Sequence, residues 1–204
     1  MKIEARNLSK RFNREWIFKN LNYQFTKSCY AITGPNGSGK STLLQTLWGQ
    51  MLPTTGEVIY TQNETVIPAD EVFKHVAIAT PYLELIDEFT LTEMVDFHFR
   101  FKKPRQHKTT PELLELFELS HARTKVIGNF SSGMRQRLKL GLAFYSHTDV
   151  LFLDEPTTNL DKNATAWYLN QLATISSETM VLIASNQEHE YPASAIKVNI
   201  LAFK

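Results

Sequence analysis

The 204-residue sequence predicts an α/β fold, and three observations carry that reading. Short apolar runs at Cys29–Thr33, Val76–Ala79, 150–153 and 181–184 have the near-continuous hydrophobicity of strands covered on both faces. Segments of helical period alternate with them, which points to a mostly parallel sheet with ligands bound beyond the strands' carboxyl ends. The first run stops at a loop, residues 34–41, that fits G-x-x-x-x-G-K-[ST] and leads into an apolar helical segment. Together they predict a P-loop NTPase core with a mostly parallel sheet, a small antiparallel β-subdomain and an inserted α-helical subdomain at roughly 82–147. The whole chain, 1–204, reads as a single domain of this kind.

Residues 2–8 and 21–25 alternate polar and apolar side chains, as antiparallel strands with one buried face do. The stretch between them, 9–16, is polar apart from Phe12 and Trp16, and either ring could stack on an adenine base or cap the small sheet. In the loop after Cys29–Thr33, Gly34, Gly37 and Gly39 let the backbone curl around an anion with its N–H groups inward. The helix that follows offers unpaired N–H groups and its positive dipole end to the same phosphates. Lys40 would reach the β- and γ-phosphates and the Ser41 hydroxyl would bind Mg²⁺.

The helix after the loop carries Leu43, Leu44, Leu47 and Trp48 on one face and ends at Gly49. Turn residues at 53–56 precede a strand at 57–60. In the middle third, Leu91, Met94, Val95, His98 and Phe99 recur at helical spacing, and so do Leu113, Leu116, Phe117 and Leu119 behind Pro111 in a first-turn position. His98 on that stripe reads as a packed core histidine rather than a ligand. The basic run 102–108 reads as a solvated loop, with contact to lipid headgroups or a partner as the alternative.

Composition narrows the classes. Lys and Arg number 22 against 21 acidic residues, so no global field attracts nucleic acid, and no nucleic-acid partner is expected. The one cysteine, Cys29, lies in an apolar run and is expected to be buried, and no disulfide can form within the chain. The first residues are charged and alternating rather than signal-like, and no window approaches a membrane-spanning length. A soluble, intracellular protein is expected.

Two further motifs bear on chemistry. At the end of 150–153, Asp154 can hold the hydration shell of Mg²⁺, and Glu155 can accept a proton from water or orient it for in-line attack on a γ-phosphate. The run 129–137 (Asn-Phe-Ser-Ser-Gly-Met-Arg-Gln-Arg) precedes an amphipathic helix, with Ser131 or Ser132 as N-cap and Gly133 permitting close backbone approach. Such a helix start binds anions. A nucleotide held by 34–42 does not need a second grip, so each copy's helix start could close over another copy's nucleotide.

These residues resemble the nucleotide-binding domains of ABC transporters, over essentially the whole length. The resemblance rests on 34–42, on Asp154 and Glu155, on 130–134 in place of the Leu-Ser-Gly-Gly-Gln signature, and on 154–161, which is similar to the family's catalytic strand end and dimer-contacting loop. It implies ATP and Mg²⁺ as ligands, with Gly34, Asn36, Gly37, Ser38, Gly39, Lys40, Ser41 and Thr42 on the nucleotide and Ser41 and Asp154 on the metal. It implies Glu155, Lys40 and Asn186 as catalytic residues, and Ser131 and Gly133 as contacts to the second copy's nucleotide. By the same likeness Phe12, rather than Trp16, is the better placed to stack on adenine.

The resemblance also implies a second copy, or a homologous ATPase subunit, as partner. It further implies a separate transmembrane transporter subunit, docked near the exposed apolar stretch 82–86, and a location on the cytoplasmic face of the cell membrane. Departures stand at Pro81, where the family usually carries Gln, at Asn186, where it carries His, and at Ser132 and Met134 within the signature. Pro offers no side-chain ligand and no N–H, and Asn donates a hydrogen bond without charge. The leading reading is an ATP-hydrolysing transporter subunit. The alternative is a soluble ATP-dependent clamp or an assembly switch with slow hydrolysis.

Overall fold

The computed structural model describes every residue from Met1 to Lys204. The chain divides into two compact units, one made of Met1–Val76, Asp149–Asp154 and Ser176–Lys204, the other of Ala77–Thr148 and Glu155–Ile175.

In the first unit, β1 (Lys2–Phe12) and β2 (Glu15–Phe25) form an antiparallel hairpin turned at Asn13, which has a left-handed φ of 50°. The stretch 9–16, read from sequence as a connection, is therefore mostly strand. Its periodicity is hidden by register shifts between Ala5 and Leu8, Leu8 and Lys10, and Lys10 and Arg11. Asn7 and Asn20 sit at these irregularities with φ 47° each, a conformation Asn tolerates better than most residues. The backbone groups freed there are recaptured: Asn22 Oδ1 accepts the Asn7 N–H at 2.8 Å and Ser9 Oγ accepts the Asn20 N–H at 2.9 Å. β4 (Thr55–Gln62) pairs with β1 and β5 (Thr65–Val66) with β4, giving the order β2-β1-β4-β5.

The second sheet of this unit is parallel, with β7 (Val150–Asp154), β8 (Met180–Ala184), β3 (Cys29–Thr33) and β9 (Ile196–Asn199) side by side in that order. β9 escaped the sequence reading because its four residues are mostly exposed and too few to show a period. α1 (Lys40–Leu47) packs on β7 and β8, and its Leu43 and Leu44 are both without solvent exposure. Each such side chain is worth roughly 1.5–3 kcal/mol of burial. Because the strands are parallel, the ends of β3, β7 and β8 fall on one edge, which brings the loop 34–39, Asp154 and Ser185–Asn186 to a common side. Cys29 is half-buried rather than buried, and desolvation pushes its thiol up to about 11. β6 (Val76–Ala79) leads out of this unit.

The second unit holds α2 (Leu91–Phe101), α3 (Thr110–Leu116), α4 (Ser132–Tyr145) and α5 (Lys162–Ala173). It takes in Glu155–Ile175 as well as the 82–147 stretch, because α5 packs on α4 through Phe144, Trp167 and Tyr168. Both α2 and α3 open on Thr-x-x-Glu capping boxes, Thr90 with Glu93 and Thr109 with Glu112. The Thr109 backbone N–H, its hydroxyl and Lys108 hold the Glu112 carboxyl down to about 2. His98 hydrogen-bonds Ser146 Oγ at 2.9 Å, and burial followed by Lys102 pushes it down to about 4, so it is a packed neutral histidine. Part of the basic run faces inward: the Arg105 guanidinium lies 5.4 Å over the Tyr145 ring and donates to Thr174 Oγ1 at 3.2 Å.

Candidate functional site

The loop between β3 and α1 is held open by backbone geometry. Gly34, Gly37 and Gly39 have φ of 148°, 74° and 103°. At Gly39 the constraint is doubled, since a Cβ would also lie 2.2 Å from Ile17 Cγ2 on β2. The Ser38 N–H closes a turn onto the Pro35 carbonyl at 3.1 Å, and the Leu43 N–H begins the helical ladder on the Gly39 carbonyl at 2.9 Å. The first N–H groups of α1 therefore face the concave side of the loop without intrahelical partners.

Lys40 is 4% exposed, and its ammonium spans the loop, donating to the carbonyls of Gly34 at 2.9 Å and Pro35 at 3.2 Å. Ser38 Oγ is buried with no hydrogen-bond partner. Ser41 Oγ donates to Asp154 Oδ1 at 2.9 Å, with Asp154 1% exposed at the end of β7. A buried lysine on carbonyls, an orphaned hydroxyl and a glycine cradle are the features a bound polyphosphate would satisfy. The Ser41–Asp154 pair supplies a hydroxyl and a carboxylate of the kind Mg²⁺ takes when phosphates fill the rest of its shell. No group of three or more acidic, His or Cys side chains offers an all-protein metal site.

On the same edge Asn186 Nδ2 donates to Asn36 Oδ1 at 2.8 Å. Thr42 is half-buried on the first turn of α1. Phe12, at the end of β1, is 45% exposed with the Lys10 ammonium 5.1 Å from its ring centre. Trp16 already carries two cations, Arg11 and Lys19, each 5.2 Å from its ring, which leaves Phe12 the more open aromatic surface. Sequence reasoning missed Ile17 beneath Gly39 and Ile200, whose Cγ2 would meet a Cβ on Gly34 at 2.7 Å. Both are apolar residues far along the chain, and no local spacing marks them.

Glu155, Ser131 and Gly133 belong to the second unit. Glu155 has a left-handed φ of 42°, a conformation costing on the order of 1–3 kcal/mol for a side-chain-bearing residue. A turn fixes it, the Thr158 N–H donating to the Glu155 carbonyl at 3.1 Å. Ser131 is the N-cap of α4, accepting the Met134 N–H at 3.2 Å and keeping its own proton to donate. Gly133 allows close approach, since a Cβ would lie 3.1 Å from the Asn159 carbonyl. Buried Gln136 donates to the Pro156 carbonyl at 2.9 Å, fastening α4 to the residue after Glu155. A cavity of about 560 Å³ opens here, lined by Ser131, Gly133, Met134, Glu118 and Asn159 among others.

Comparison with known proteins gives a consistent picture. A family model described as ABC transporter matches residues 18–158. The chain is similar to the Nod factor export ATP-binding protein I of Burkholderia lata, 32% identical over 166 residues, covering 79% of this chain and 55% of the relative. It is also similar to an uncharacterised ABC transporter ATP-binding protein of Bacillus subtilis, 29% identical over 160 residues, covering 78% and 52%. The chain thus spans about half the length of these curated relatives. Among solved structures, an ABC transporter ATP-binding protein from Pyrococcus furiosus superposes with a TM-score of 0.79 at 21% identity, covering 100% of this chain and 99% of that one. A post-hydrolysis dimer of an ATP-binding cassette with ADP and phosphate gives 0.76 at 22% identity, over 91% and 88%. At these identities the structural likeness shows the fold.

Proposed function

The chain belongs to the ABC transporter family as an ATP-binding ATPase domain, and from that premise we propose that two such chains close over ATP and Mg²⁺ and hydrolyse the nucleotide to drive a separate transmembrane protein. The observation that carries this reading is the loop 34–42, with Lys40 buried on its carbonyls and Ser41 joined to Asp154.

Lys40 holds the β- and γ-phosphates through its charge, and the loop N–H groups take the remaining oxygens. Ser41 and Asp154 hold Mg²⁺, which when bound neutralises charge on the phosphates. Glu155 orients the attacking water and accepts its proton. Phe12 stacks on the adenine and Asn186 donates to the γ-phosphate. Ser131 and the start of α4, with Gly133, complete the site of the second copy. The partner subunit docks at 82–86, where Tyr82 is 76% exposed, and holds the ATPase at the cytoplasmic face of the membrane. No helix of the chain itself is long and apolar enough to cross a membrane.

A second reading, an assembly switch with slow turnover, is favoured by one observation: Pro81 and Asn186 replace a polar ligand and a titratable base with groups that do neither job. Glu155→Gln tests the main proposal. It keeps shape and hydrogen bonding while removing the base, so the variant should bind ATP, cease turnover and run as a dimer on gel filtration. A monomer at high protein and ATP concentration overturns the homodimeric sandwich. Slow hydrolysis by the parent together with a stable ATP dimer selects the switch.

A further inference from the structure

Lys139 lies in the middle of α4 and is 8% exposed, yet its hydrogen-bond acceptor is a neutral backbone carbonyl, that of Pro81, at 2.6 Å. Burial, and then Arg135 one turn earlier on the same helix, hold its ammonium below the usual lysine range. Arg135 itself reaches the same loop, pairing with Asp87 Oδ1 at 2.6 Å and donating to the Gly128 carbonyl at 3.4 Å. The loop is thus gripped at both ends by cations four residues apart on one helix, which is the spacing that puts two side chains on one face. Between the grips lies a cavity of about 890 Å³, lined by the loop residues 81–88 with Arg135 and Lys139.

We propose that Lys139 is a positioning residue which, with Arg135, couples the placement of the loop 80–88 to the first turn of α4, where Ser131 caps the helix. The loop reaches α4 through the carbonyl at position 81 rather than through a side chain. Proline suits that role, because its ring fixes φ and so narrows the directions its carbonyl can take. Movement of the exposed Tyr82 and Leu83 would reach α4 along these two contacts, and ordering of the α4 start would reach the loop by the same route.

Amide hydrogen exchange on the full chain tests this. The Leu83 and Phe89 N–H groups, which donate within the loop to Thr80 and Ile86, serve as reporters. In the nucleotide-free protein, Lys139→Met should speed exchange at both at least fivefold, with the amides of β7 and β8 unchanged. Asp87→Asn, which loosens the other grip without touching Lys139, should have the same regional effect. Unchanged exchange at the reporters in both variants overturns the clamp, and so does a uniform rise over the whole chain, which marks Lys139 as merely structural.

The coupling itself rests on the reading of Ser131 given above, and is read in the Glu155→Gln background. There ATP should slow exchange at Leu83 and Phe89, and Lys139→Met should abolish that response while ATP affinity stays within twofold. If the parent dimerises with ATP but the reporters do not respond, or respond equally in Lys139→Met, the coupling is wrong and the ATP sandwich stands. If the parent does not dimerise, the sandwich is wrong, and the nucleotide-free exchange decides the clamp alone.

Discussion

The side-chain amide of Asn186 donates to Asn36 across 150 positions of sequence, joining the end of β8 to the phosphate loop at 2.8 Å. An amide has two N–H groups, so one can stay on Asn36 while the other meets a γ-phosphate. On the function proposed above, Asn36 would orient Asn186. A hydrogen bond to a charged acceptor is worth about 1.5–3 kcal/mol, or roughly one to two powers of ten in rate if made fully only in the transition state. Asn186→Ala should lower ATP hydrolysis by that factor and barely change ADP affinity. Asn36→Ala should lower it too, and the double variant should be little worse than Asn186→Ala. Additive losses would show that the two residues act separately.

Lys40 uses two of its three N–H donors on the Gly34 and Pro35 carbonyls, leaving one, and the whole charge, for phosphate. Lys40→Ala removes both the staple and the charge. ATP affinity should fall by about one to two powers of ten, from about 1.5–3 kcal/mol per charge-assisted contact. Equilibrium binding of a fluorescent ATP analogue measures it, and parent-like affinity would remove the loop from the nucleotide site.

What the sequence could show follows from the range of the forces involved. The glycine loop 34–41, the strand end at Asp154 and the helix start at Ser131 or Ser132 were legible because each depends on a spacing of a few residues. The packing of Ile17 on Gly39 and of Ile200 on Gly34, and the Asn36–Asn186 bond, arise only when distant segments meet, and none leaves a local pattern. The β1–β2 hairpin was half legible. Its bulges make Leu8 and Ser9 consecutive buried residues, which breaks the alternation by which a strand is recognised.

Gly141 lies inside α4, where alanine would ordinarily gain about 0.8–1 kcal/mol of helix propensity. A Cβ there would lie 2.6, 2.7 and 2.9 Å from three ring atoms of Phe117, a fully buried side chain that cannot swing aside. Overpacking of this kind costs about 1–3 kcal/mol. The clash should win, and Gly141→Ala should lower the urea midpoint with an unchanged slope. A rise in the midpoint would mean that α4 and Phe117 can separate at little cost.

His98 gives stability a pH dependence of definite sign. Burial pushes it down to about 4, against an ordinary value of 6.5, so between those limits the unfolded chain binds a proton that the folded chain does not. Stability must then rise with pH across this window, by up to about 1.4 kcal/mol per pH unit. The contribution is fully present above 6.5 and lost as pH falls toward 4. Carboxylates such as Glu112, held down to about 2, lose their contribution around and below 4.5, with a tail reaching about one pH unit higher, so the histidine dominates the slope between about pH 5.5 and 6.5. Urea unfolding at several values in that interval should give a free energy that climbs with pH in the parent and flattens in His98→Gln, which keeps a polar group near Ser146 without the titration. An equal slope in both proteins would assign the dependence to other groups.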